Sequence, residues 1–358
     1  MLPTTVMVVR NTTMTDESPD AEHTESTVGC FDAHSDVLYS VVRERAEGRT
    51  SVLEADFLPG MTTGDIRARV VAIYVDDDYV PEMELRRSLD IVAALNRELA
   101  ETPDIQLATT PDEIRTAFSS DVTSLVLGME GAGPLKGDEA LLDVFYELGL
   151  RLLTLTHSRR NAVGDGCFFS PTKSGTPGGL TPFGVEVVER MNDLGIVVDV
   201  SHLNVPGFWD VVDVSSDPII ASHSNCRAVH DHARNLSDDQ LEAIAASGGV
   251  VGMVSIKPYV AAEDATLDDL LDHVEHAVNL VGVESVAFGF DFFSYGRQYL
   301  SAAENERLPG IDSAAGIEND AAVANLTPAL EARGFDRTEI EAMLHGNLLR
   351  VFEDVLSG

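Results

Sequence analysis

Short apolar runs alternate along this chain with longer stretches in which apolar residues return every three or four positions and charges fill the gaps. From residue 27 the runs predict eight strands, at 27–31, 69–75, 123–129, 150–156, 195–200, 218–222, 249–256 and 285–290. The amphipathic stretches at 82–100, 139–148, 183–194, 238–246 and 267–281 predict helices between them. Pro182, and Asp268 with Asp269, mark helix starts, and Gly195 marks a helix stop just before a strand. Residues 321–356 add two further helices, broken near Gly334 and reopened by Asp336. Strand followed by helix, repeated about eight times, is the pattern of a closed parallel barrel. The expected fold is therefore α/β, a (β/α)8 TIM-type barrel of the metal-dependent hydrolase kind with extra C-terminal helices. A doubly wound open sheet alternates strands and helices in the same way and is the competing architecture. No internal repeat and no Pro- or Ser-rich linker divides the chain, so residues 27–358 are expected to form one domain. The stretch at 11–26 is polar and acidic, and residues 1–26 are expected to be a disordered arm.

Charge narrows the field of partners. Sixty acidic residues against 24 basic ones give a formal charge of −36, and the only lysines are Lys136, Lys173 and Lys257. Nucleic-acid binding depends on Lys and Arg that neutralise phosphates, and the chain carries no basic run. Nor does a basic cluster suit an anionic membrane surface, and no stretch approaches the ~20 apolar residues that span a bilayer. Residues 1–28 lack the pattern of a secretory leader, so a soluble cytoplasmic protein is expected. So large and even an acidic excess, with lysine nearly absent, fits a surface solvated at high salt, as in a halophilic, haloarchaeal-type protein. Cys30, Cys167 and Cys226 are scattered, odd in number and free of C-x-x-C. They point to buried, reduced thiols and away from a disulfide framework or a cysteine zinc site.

The chemistry sits just past the ends of the strand runs, at His34, Asp36, Glu130, His157, His202, His223 and Asp291, about 250 positions apart at the extremes. A fold that bundles strand ends would bring them together. In D-A-H-S-D at 32–36, alternate residues of an extended segment point the same way, so His34 and Asp36 can reach one metal. Glu130 closes a strand within G-M-E-G, and His202 and His223 each close a strand as the second member of a Ser-His pair. Imidazole and carboxylate donors without sulfur suit a catalytic zinc site better than a closed structural one. Five ligands are too many for one ion. With one carboxylate shared, two zinc ions could sit ~3.5–4 Å apart around a bridging hydroxide that attacks a polarised carbonyl. The expected class is a metal-dependent hydrolase.

The motifs D-A-H-S-D, G-M-E-G, L-T-L-T-H-S-R-R-N, G-L-T-P-F-G-V-E-V-V-E-R-M-N-D-L-G, D-V-S-H, A-S-H-S, the A-R-N after it, G-F-D-F and G-N-L-L-R-V-F run from Phe31 to Phe352. Together they resemble the renal (membrane) dipeptidase family. The resemblance implies a (β/α)8 barrel with two zinc ions that cleaves dipeptides. It implies that His34 and Asp36 bind one zinc, that His202 and His223 bind the other, and that Glu130 bridges both. It further implies that His157 approaches the substrate and the transition state, that Arg234 holds the substrate's terminal carboxylate, and that Asp291 serves in proton transfer or substrate placement. An arginine fork matches a carboxylate bidentately, which selects substrates with a free C-terminus close to the scissile bond. The expected partner is thus a small dipeptide, with self-association into a homodimer left open. A related amidohydrolase acting on an N-acyl amino acid or a β-lactam, or a metal-binding inactive scaffold, are the alternatives.

Four departures from the family pattern stand out. Phe293 occupies the place of a second acid in D-F-D, and Lys257 stands before Pro258 where a substrate-facing tyrosine is common. Gly133 stands where mammalian members have a histidine, and His345 where a glycine is common. All five inferred metal ligands are present, so the departures bear on specificity more than on catalysis.

Overall fold

The computed structural model describes residues 28–167, 177–300 and 311–356, and the expected arm at 1–26 lies outside them. Nine strands are found among the described residues: β1 (Cys30–Ser35), β2 (Ile66–Tyr74), β3 (Ile105–Leu107), β4 (Thr123–Glu130), β5 (Leu150–Thr154), β6 (Val197–Asp199), β7 (Ile219–Ile220), β8 (Val251–Met253) and β9 (Val286–Phe288). β1, β2, β4, β5, β6 and β7 are hydrogen-bonded in that order, all parallel. A parallel bridge between Ala221 and Val251 carries the wall from β7 to β8, which pairs with β9. The seam back to β1 is stitched by the Phe290 amide, which donates to Asp32 Oδ1 at 3.0 Å, and by the Asp291 amide, which reaches the His34 carbonyl at 3.4 Å. The eight-stranded parallel barrel expected from the sequence is therefore present. β3 is an addition: it pairs with Thr123 to Leu125 at the start of β4, before β5 takes over at Leu127.

Alternation along each strand builds two apolar layers. Phe31, Ala33, Ala68, Val70, Val126, Leu152, Val197, Ile220 and Ala287 form one buried cluster, and their strand neighbours Val71, Leu125, Leu127, Leu153, Val198 and Phe288 join a second. The principal helices packed around the strands are α1 (Val37–Ala46), α2 (Glu84–Glu101), α3 (Ala140–Glu147), α4 (Pro182–Leu194), α5 (Val205–Val214), α6 (Asp238–Ala246), α7 (Leu267–Val281) and α8 (Asn347–Leu356). The predicted bounds of α6 and α7 are met residue for residue. Thr181 caps α4 through the Gly184 amide, Gly195 ends it at φ 72°, and Thr266 with Asp269 closes a capping box on α7. Asp336 caps a short helix, Arg337–Glu341, as the sequence suggests. α8 behaves differently from the other helices: Leu348, Val351, Phe352 and Val355 join the barrel cluster, with the Phe352 ring 5.4 Å from that of Phe31. The helix thus stoppers one end of the barrel. Among the described residues no helix is long and apolar enough to cross a membrane.

One buried ion cluster lies beneath the site. The Arg69 guanidinium, fully enclosed on β2, donates from Nε to Asp32 Oδ2 at 2.9 Å and from Nη1 and Nη2 to the Asp320 carboxylate. Asp32 Oδ1 also accepts the His34 amide at 3.3 Å as well as that of Phe290. Three strands and the segment at Asp320 are therefore tied together where β1 and β9 deliver His34 and Asp291. Burying such charges is tolerated only because every partner is present.

Candidate active site

Register explains how the distant motifs converge. Tyr74, Glu130, Thr154, Asp199 and Ile220 pair in succession at the same level of β2, β4, β5, β6 and β7. Three residues beyond three of these positions stand His157, His202 and His223, and Asp291 stands three beyond the end of β9. His202 and Asp291 both adopt left-handed backbone, at φ 64° and 57°. Neither is glycine, so each stores local strain that the surrounding packing must hold, a trait concentrated at functional sites.

The result is a compact cluster of imidazoles and carboxylates. Glu130 Oε1 lies 3.0 Å from His202 Nε2, 3.4 Å from His223 Nε2 and 3.8 Å from His34 Nε2. His34 Nε2 is also 3.9 Å from Asp36 Oδ1 and 3.8 Å from Asp291 Oδ1. The rings of His34 and His223 stack at 3.8 Å, and His157 leans over His202 at 4.4 Å. Three overlapping sets could hold a metal ion: His34 with Glu130 and His223; Glu130 with His157 and His202; and His34 with Asp36 and Asp291. His34 Nε2 and Asp36 Oδ1 are buried and lack a hydrogen-bond partner among the described residues, which is costly unless a ligand satisfies them. The donor set is nitrogen and oxygen throughout, as suits zinc.

The electrostatics suit a site that takes a cation. Burial pushes the carboxyls of Asp36, Glu130 and Asp291 well above the usual range, and each is raised further by an acid of the same cluster. Burial also drives the His34 imidazole down to about 3, with Arg234 adding to it, and lowers His157, His202 and His223 well below their ordinary value. Left alone, the cluster favours neutral forms; a divalent cation reverses that preference.

A second layer of hydrogen bonds orients the ring of His223. Asp199 Oδ2 accepts the hydroxyls of Thr154 at 2.5 Å and Ser222 at 2.6 Å, while Oδ1 accepts the amides of Ser201 and Ser222. With its one proton given to Asp199, the Ser222 hydroxyl accepts from His223 Nδ1 at 2.7 Å. The tautomer that satisfies both bonds leaves a lone pair on His223 Nε2, which lies 2.8 Å from His202 Nε2 and 3.4 Å from Glu130 Oε1. Sequence reasoning assigned Asp199 no role, although D-x-S-H places it at the strand register position that this hub requires.

Arg234 lies against the cluster. It is buried, and it donates from Nη2 to the His223 carbonyl at 2.8 Å and from Nη1 to Ser224 Oγ at 3.3 Å, while its Nε is buried without a partner among the described residues. Over it, at 5.4 Å, lies the ring of Tyr259. The Tyr259 carbonyl accepts amide donors from both Asn225 and Asn235, which fixes the short helix Lys257–Val260 in place. The sequence led us to expect Lys257 in place of a substrate-facing tyrosine; the aromatic ring beside Arg234 comes instead from two residues later.

The other departures also find their places. Phe293 packs against Tyr39 at 5.5 Å. At Gly133 the room for a side chain is filled by the Glu84 carboxylate, which Lys136 neutralises at 2.9 Å. His345 stacks on Phe118 and meets the Gly29 carbonyl, outside the cluster.

Known proteins resemble this chain in sequence and fold. Residues 20–357 match the family model described as membrane dipeptidase (peptidase family M19). The chain is 31% identical over 283 residues to the dipeptidase verJ of Clonostachys rogersoniana, spanning 78% of this chain and 67% of that protein. It is 27% identical over 346 residues to an uncharacterized dipeptidase of Schizosaccharomyces pombe, covering 90% of this chain and 79% of that one. A metallo peptidase from Rhodobacter sphaeroides, solved with a phosphinate mimic of the dipeptide L-Ala-D-Ala, superposes with a TM-score of 0.81 at 27% identity, over 92% of this chain and 100% of that one. The fold, the strand-end cluster and the match along nearly the whole sequence place the chain in the membrane dipeptidase family, peptidase family M19, a family of metallo-dipeptidases.

Proposed function

We propose that the protein is a zinc-dependent dipeptidase that cleaves the peptide bond of dipeptides with a free C-terminal carboxylate. The observation that carries this reading is the buried cluster around Glu130, with His34 Nε2 and Asp36 Oδ1 unsatisfied and Arg234 packed against it. His34 and Asp36 would hold one zinc ion and His202 and His223 a second, with the Glu130 carboxylate available to both. Bound there, the ions supply Lewis-acid polarisation of the scissile carbonyl and an activated water.

The remaining steps belong to the side chains. Arg234 is bonded to the carbonyl of His223 itself, so a carboxylate held by its free donors lies close to the cluster. That spacing selects short substrates whose α-carboxylate adjoins the scissile amide. His157, whose Nδ1 lies 3.0 Å from Ser158 Oγ and whose imidazole burial holds neutral, is assigned to the developing oxyanion. Asp291 carries a raised carboxyl at the edge of the cluster, suited to pass a proton to the leaving amine.

The test combines metal analysis with assay. The purified protein should hold close to two zinc ions and hydrolyse dipeptides in a chelator-sensitive manner. His157→Ala should keep its metal and lose roughly 10²- to 10⁴-fold in kcat, whereas His223→Ala should lose metal as well. Bound zinc without turnover of any dipeptide would sink the reading and direct the search to N-acyl amino acids.

A further inference from the structure

Beside the cluster opens a cavity of about 480 Å³ whose wall includes His202, Ser224, Arg227, Asp231 and Arg234. Most arginines in this acidic chain are held by carboxylates: Arg43 by Asp76, Arg45 by Glu98 and Glu101, Arg69 by Asp32 and Asp320, Arg333 by Asp268, Asp272 and Glu275. The two in this cavity are exceptions. Among the described residues neither Arg227 nor Arg234 pairs with a carboxylate, and the Nε of each is buried without a hydrogen-bond partner. Arg234 at least places two donors on the His223 carbonyl and Ser224. The Arg227 side chain makes no hydrogen bond among the described residues; only its backbone is held, the amide donating to the Leu236 carbonyl at 2.7 Å. Asp231 lines the same cavity, is exposed, and makes no ion pair with Arg227.

The loop that carries both arginines is preorganised. A parallel bridge between Cys226 and Leu236 pins its base, and Asn235 fastens it to the His230 and Tyr259 carbonyls. A half-buried guanidinium left unpaired on a rigid loop, in a protein with 60 acidic residues to choose from, is a site kept for an incoming anion.

We infer that this cavity is a side-chain subsite for an acidic C-terminal residue, with Arg227 binding the side-chain carboxylate while Arg234 binds the α-carboxylate. The inference rests on the dipeptidase reading above. Arg227 acts as a specificity-determining residue: substrates that leave it unpaired forgo a charge-assisted bond, a form of discrimination that exceeds what apolar contact provides. The surface charge of −36 repels acidic substrates, so a preference for them requires a local cation and does not arise from long-range attraction.

The experiment compares Ala-Glu with Ala-Gln, which match in shape and differ in charge, each with the L and the D form of the C-terminal residue, on zinc-loaded enzyme. The wild type should favour the Glu substrate in kcat/KM by roughly 10- to 100-fold. Arg227→Met should abolish that preference through KM, and Arg227→Lys, which keeps the charge, should restore part of it, with bound metal unchanged in both. Wild-type turnover without preference, or an equal loss on both substrates in Arg227→Met, overturns the subsite alone. Hydrolysis of neither peptide, with a wider dipeptide panel also uncleaved, overturns the dipeptidase reading. Calorimetric binding of the same peptides to wild type and Arg227→Met then decides the subsite, equal affinities counting against it.

Discussion

At the scale of single residues, the carboxyls of Asp36, Glu130 and Asp291 keep their protons to higher pH than free carboxyls because they are buried and share one small space. A cation binds the ionised form, so metal uptake must expel the protons these groups hold. The neighbouring imidazoles of His34, His157, His202 and His223 have lowered values and are already neutral near pH 7, so they release none. The sign follows: affinity for zinc rises with pH while the raised carboxyls are still protonated in the metal-free protein. Calorimetric titration of metal-free protein in two buffers of different ionisation heat, repeated at falling pH, should reveal proton release that grows as the carboxyls protonate, and identical heats throughout would refute the raised carboxyls. Each residue of the cluster was legible in the sequence because it followed a recognisable apolar run. Asp199, Tyr259 and Arg227 were not. Their importance comes from contacts made across strands or loops, the Ser222 hydroxyl for Asp199, the face of Arg234 for Tyr259, an unshared cavity wall for Arg227, and none of these is written in local spacing.

At the scale of elements, all eight predicted strands are present because a parallel strand covered on both faces reads as a continuous apolar run. β1 and β2 are displaced most: β1 begins at Cys30 and continues to Ser35 where polar Asp32 and His34 disguise it, and β2 begins at Ile66, three residues ahead of the predicted run. β3 escaped notice since Ile105–Leu107 is three residues long and owes its existence to the edge that β4 offers it. The least legible link is the one from Arg69 to Asp320, which joins positions 251 residues apart through charge and leaves no periodic trace. Asp320→Ala removes one of the two carboxylates that balance an enclosed guanidinium. It should lower the free energy of unfolding by about 3 kcal/mol in a denaturant titration. An effect near zero would mean that Asp32 alone suffices. The same variant should disturb catalysis through β1, since Asp32 also bonds the amides of His34 and Phe290.

At the scale of the whole molecule, a charge of −36 makes the folded state sensitive to its ionic surroundings. Compaction brings like charges together, and screening relieves the repulsion: the Debye length falls from ~10 Å at 0.1 M to ~3 Å at 1 M ionic strength. The unfolding temperature should therefore climb between low and molar potassium chloride, and a flat response would remove the case for adaptation to salt. The molecule's size has a different consequence, set by α8. Its Phe352 rests on Phe31 across about 320 positions of sequence. During synthesis the ribosome delivers every strand before it delivers the stopper. Until α8 emerges, the nascent barrel stands open at one mouth with bare hydrocarbon, the kind of surface that chaperones seize and aggregates share. A chain cut before Asn347 would keep every residue of the strand-end cluster and still lack the element that closes this mouth of the barrel.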